Sequence, residues 1–78
     1  MSAVATDTAA KLGHMAGQIA DFFKAYAEDE AAHAVADHIN QFWTTRMRAD
    51  FLAACNDGRI VPTPLLRKAI AFVRAPAA

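Results

Sequence analysis

Cysteine occurs once in this 78-residue chain, as Cys55. A lone thiol excludes an internal disulfide, and no CxxC or Cys/His cluster at zinc spacing appears anywhere, so the chain suits a reducing compartment. Glycine is limited to Gly13, Gly17 and Gly58, too widely spaced for a phosphate-cradling loop. No apolar run approaches the ~20 residues that span a bilayer. The start MSAVATDTAAKLG has no basic n-region and no long apolar stretch, and carries an aspartate at position 7, so it does not read as a secretory signal. These absences point to a cytoplasmic protein with no membrane contact.

Large apolar side chains are also scarce. The apolar fraction is 55%, but 20 of those residues are alanines, which favour helix and remove little area from water. A chain of this length buries roughly 60% of its unfolded surface. We expect one small helical domain over residues 1–78, with frayed ends at 1–7 and 75–78, and a thin core. Net charge is zero, yet it is distributed unevenly. Residues 1–40 hold two lysines against six acids, 2 − 6 = −4, and residues 41–78 hold six cations against two acids, 6 − 2 = +4. Either the halves fold together and pair these charges at exposed rims, or the basic half faces an acidic partner.

What is present reads as helix. Apolar residues at 12, 15, 16, 19, 22, 23 and 26 make one stripe on a first helix, spanning about 8–27, with Asp7 or Thr8 as its N-cap. The acidic run Glu28-Asp29-Glu30 suits the start of a second helix, 29–43, because negative charge is stabilising beside unpaired N-terminal amides. Thr44 is placed to cap a third helix, 45–56, that closes on Asn56-Asp57-Gly58. Thr63-Pro64 opens a fourth, 64–74, with proline at the first helical position. No alternating strand pattern occurs, so the expected fold is all-α, a small bundle of about four short helices.

Few residues offer chemistry. Glu30 and His33 have the Glu-x-x-His spacing of di-iron bundles, but such a site needs a second copy and two further glutamates, and the chain has only two glutamates. A solvated pair at a helix start explains the spacing as well. Asp37 could orient His33 one turn away, but no nucleophile accompanies them. Cys55 falls on an apolar stripe, where a thiol is an inert small hydrophobe. We therefore expect no catalytic, cofactor-binding or metal-binding residue. Arg46, Arg48, Arg67 and Lys68 keep open a rival reading, a small helix-turn-helix-like nucleic-acid-binding protein, against which the −4 half would repel DNA.

The seven aromatics include two adjacent pairs, Phe22-Phe23 and Phe42-Trp43. Helical neighbours point about 100° apart, so a small bundle cannot easily bury both members of a pair. Trp43 with Arg46 and Arg48 also concentrates the residue types enriched in interface hot spots. By elimination and by composition the chain reads as an interaction module.

The stretches KLGHMAGQIADFF, residues 11–23, and ADHINQFWTTRMR, residues 36–48, carry a resemblance. Over about residues 11–54 the chain resembles the small delta subunit of soluble, molybdenum-containing, NAD-dependent formate dehydrogenases. That family reads Met-Ala-Asn-Gln-Ile-Ala, an acidic segment, then Ala-Asp-His-hydrophobic-x-x-Phe-Trp-Asp-Pro-Arg-Met-Arg. Gly17 stands where the family has asparagine, and Thr44-Thr45 replaces Asp-Pro. The resemblance implies a cofactor-free accessory subunit of a cytoplasmic complex whose larger subunits do all the chemistry. It implies docking or fold-defining roles for Asp37, His38, Phe42, Trp43, Arg46 and Arg48, with the molybdenum-bearing alpha subunit as partner. In that arrangement Trp43 or Phe42 fills a groove on the partner while Arg46 and Arg48 meet carboxylates at its rim. An internal role, Asp37 pairing with Arg46 across the turn, is the alternative. If Trp43 docks, Trp43→Ala releases the chain and leaves it folded; if it is core, the variant unfolds. Surplus apolar surface on the isolated chain would also favour a homo-oligomer.

Overall fold

In the computed structural model, residues 2–75 are described, with side chains from Thr8 onward. Among these residues the secondary structure is helical throughout: α1 (Ser2–Phe23), α2 (Glu28–Phe42), α3 (Thr45–Asn56) and α4 (Pro64–Ile70). The all-α expectation holds, and α2 and α3 lie within one residue of their expected bounds. Local chemistry explains the starts. Thr44 Oγ1 accepts from the Met47 amide at 3.1 Å, and Thr63 Oγ1 accepts from the Leu66 amide at 3.3 Å ahead of Pro64. At the far end of α3, Gly58 adopts φ +86°, and the Ile60 amide turns back to the Ala54 carbonyl at 3.1 Å.

The outer two helices differ from expectation. α1 starts at Ser2 rather than near residue 8, so residues 2–7 carry helical backbone and the cap expected at Asp7 or Thr8 is displaced. The alanine-rich opening contains nothing that stops a helix. Met1 and residues 76–78, part of the expected frayed ends, lie outside the described residues. α1 also stops at Phe23, not 27, and the Tyr26 amide closes a tight turn onto the Phe23 carbonyl at 3.0 Å. That turn lets Glu28, Asp29 and Glu30 form the first turn of α2. α4 stops at Ile70, not 74: the Ala71, Phe72 and Val73 amides bond three residues back, and a side chain elsewhere takes backbone groups beyond them. Asn40 Nδ2 donates to the Phe72 carbonyl at 3.1 Å, and Asn40 Oδ1 accepts from the Arg74 amide at 2.8 Å.

The core is narrow and alanine-lubricated. Leu12, Ala16 and Ala20 from α1 meet Val35, Ala36 and Ile39 from α2, Phe51 from α3, and Leu66 and Ala69 from α4. Small residues at 16, 20, 32 and 36 let the helices approach closely, so the few large side chains suffice. Gly13 serves the same end, since Ile60 packs where its Cβ would begin to make contact, at 3.4 Å. One cation of the basic half reaches acids of the other, while Arg46 and Arg59 pair within their own half. Lys68 Nζ of α4 lies 2.8 Å from Asp29 and 3.0 Å from Glu28 at the start of α2.

Candidate functional site

The α1 stripe is wider than the bundle covers. Its centre, Leu12, Ala16 and Ala20, is buried, while Met15, Ile19 and Phe23 on the flank are half-buried and Phe22 is 75% exposed. The flank forms one wall of an open groove of about 380 Å³ between α1 and the end of α2. Met15, Gln18, Ile19, Phe22 and Phe23 line that wall; His38 and Trp43 line the other side. Aromatic rings continue beyond both walls. Phe23 meets Phe22 and Tyr26 edge-on, at centroid distances of 4.9 and 5.7 Å, and His38 lies 4.7 Å from Phe42. Phe42 is 69% exposed and Tyr26 is also exposed. Together these groups leave a continuous apolar seam in water along one side of the bundle.

The sequence-derived docking residues divide. His38 lines the groove and Phe42 flanks it. Trp43 is only 5% exposed and packs edge-on against Phe51 at 5.5 Å, so its ring supports the groove from inside the core. The chain leaves helical geometry at this residue, with φ −88° and ψ 143°, which turns the indole inward. Arg48 is spent internally: Nη1 donates to the Trp43 carbonyl and Nε to the Arg74 carbonyl, both at 3.0 Å. That clasp ties the α2–α3 corner to the C-terminal turn. Arg46 does not pair with Asp37; its Nε lies 3.5 Å from Asp50, one turn on. Asp37 is exposed on the outer face of α2.

Sequence reasoning passed over Met15, Gln18 and Ile19 as site residues, placing Met15 and Ile19 on the apolar stripe of the first helix and giving Gln18 no role. The signal that could have found them was the width of that stripe. Seven apolar positions from 12 to 26, two of them adjacent phenylalanines, exceed what three short alanine-rich neighbours can cover.

The other chemical candidates have structural settings. The His33 ring stacks on Phe72 at 4.0 Å, and among the described residues no three His, Cys, Asp or Glu side chains converge. Burial pushes the Cys55 thiol above its ordinary range, with nearby Arg67 opposing, so it is held protonated. Of the four cations a nucleic acid would need, Arg46, Arg48 and Lys68 are engaged within the chain. Among the described residues, no helix is long and apolar enough to cross a membrane.

A family model, NADH-dependent formate dehydrogenase delta subunit FdsD, matches residues 11–70. The chain belongs to this delta-subunit family. The match takes in every residue of the groove and extends past the expected limit near residue 54 to the last residue of α4. No curated protein and no solved structure matches the chain. Membership makes the resemblance seen in residues 11–23 and 36–48 a family relationship, and gives the uncovered face of this delta subunit a context.

Proposed function

We propose that this delta subunit is a non-catalytic, cofactor-free accessory protein of a cytoplasmic formate dehydrogenase, docking on a larger subunit to assemble or stabilise the complex. The observation that carries this reading is the apolar groove between α1 and α2, flanked by exposed Phe22, Tyr26 and Phe42. Formate oxidation, electron relay and NAD reduction then belong to the larger subunits, and the partner is the molybdenum-bearing one. Two features support a passive chemical role. The single thiol is held protonated by burial, and among the described residues no three His, Cys, Asp or Glu side chains converge. Covering the groove supplies the apolar contact area that the thin core lacks, at about 25 cal/mol per Å² removed from water.

Co-expression with the larger subunits tests this. The chain is expected to co-purify with them, and Phe22→Asp is expected to abolish co-purification while leaving the helical circular dichroism of the isolated chain unchanged. A Phe22→Asp variant that remained in the complex at the wild-type ratio would contradict the groove as the docking site.

A further inference from the structure

Of the residues that line the groove, His38 is the one whose side chain changes charge near neutral pH. It is half-buried, and no carboxylate of the described residues comes within 4 Å of it. None of the elements around it offers a counter-charge. On α2, Asp37 is adjacent in sequence, but consecutive helical positions diverge by about 100°, and Asp37 stands exposed on the outer face. Across the groove α1 presents Met15, Gln18, Ile19, Phe22 and Phe23, all uncharged. The charged residue on that ridge is exposed Lys11, one turn before Met15, and it has the same sign as a protonated imidazole. At the α2–α3 corner the charged groups are again cations, Arg46 held by Asp50 and Arg48 by the Trp43 and Arg74 carbonyls.

In the free chain the groove is open, so water hydrates His38 in either protonation state. Covering the groove removes that water, and an unpaired charge resists the transfer far more than a neutral imidazole does. Phe42, 4.7 Å from His38, is the neighbour that attracts a cation, but its ring is 69% exposed and tilted 41° to the imidazole, a poor substitute for hydration. From this placement we propose, resting on the accessory-subunit reading, that docking is linked to a proton: an uncharged, apolar segment of the larger subunit closes the groove over neutral His38, and protonation of His38 releases the subunit. The segment is uncharged because the groove walls carry no charge at neutral pH to meet one. Docking then expels a proton, so binding is strongest above neutral pH and weakens as pH falls through the imidazole range. One linked proton changes the affinity by at most about tenfold per pH unit. A partner carboxylate set against His38 would give the opposite sign.

The test is the affinity of this chain for its complex, immobilised through the larger subunit, measured between about pH 8 and about pH 5.5. The variants are His38→Gln, His38→Lys, the control His14→Gln/His33→Gln and Phe22→Asp. Wild type is expected to bind about tenfold more weakly at the acid end, and the control pair is expected to keep that dependence. His38→Gln is expected to bind at both ends about as wild type does at the alkaline end, and His38→Lys, charged throughout, to bind weakly at both. Wild-type affinity that stays flat or rises toward the acid end overturns the inference, as does a pH dependence that survives in His38→Gln. If either happens while Phe22→Asp dissociates, the accessory reading stands and only this inference fails. If Phe22→Asp binds as wild type does, the groove is not the interface and both fail.

Discussion

Phe42 and Trp43 are adjacent in sequence and opposite in environment, and the difference comes from where a helix ends. At Phe42 the chain is still helical and the ring stays at the surface; at Trp43 the backbone opens to extended geometry and the ring drops onto Phe51. Removing a buried ring of this size costs about 3–5 kcal/mol. A 78-residue domain holds little more than that in reserve. Trp43→Ala is therefore expected to abolish the cooperative urea transition, whereas Phe42→Ala is expected to shift stability by less than about 0.5 kcal/mol and to weaken association with the larger subunit. The sequence showed that two such neighbours are hard to bury together. Which one would be buried depended on the backbone angle at the helix end, and no side-chain pattern encodes that angle.

Elements whose limits are set by their own residues were readable; those limited by distant ones were not. Thr44 and Thr63-Pro64 announce α3 and α4 because a hydroxyl three residues before an amide is a local geometry. The end of α4 is hidden because Asn40, more than 30 residues away, captures the Phe72 carbonyl and the Arg74 amide. Asn40→Ala is expected to speed amide exchange at Arg74 while leaving α1 protection unchanged. Gly17 lies inside α1, and no atom lies within 4 Å of where its Cβ would sit. Gly17→Ala should raise stability by about 0.5–1 kcal/mol in a urea melt, through helix propensity and a less flexible unfolded chain. The α2–α4 bridge has a pH signature. Hydrogen bonding to Lys68 holds the Asp29 carboxyl below its usual range, so its contribution is present above the unfolded carboxylate pKa and is lost as pH falls through the lower folded value. Lys68 is raised in turn, by Asp29 and then Glu28, so its share persists below the unfolded lysine pKa and is lost as alkali passes the higher folded value. Lys68→Met should flatten the acid limb of stability below about pH 4, an effect that salt reduces because the pair is exposed.

At the scale of the molecule, this delta subunit uses alanine to bring four helices close together and sets its few large side chains unequally. Some close the core, and others stand along one seam. The prominent FW-TT-RMR segment proves to be largely a structural corner: Trp43 anchors it, Thr44 caps α3 and Arg48 clasps the C-terminal turn. The seam itself is drawn mostly by α1. Hydroxyl-radical footprinting of the free chain and of the assembled formate dehydrogenase compares the two states side chain by side chain. Val61, 81% exposed and not among the groove residues, serves as the internal reference. Labelling at Met15, Phe22 and Phe42 should fall several-fold on assembly while Val61 stays reactive. Equal labelling of those three in both states, with protection at Val61 instead, would contradict docking through the α1–α2 groove.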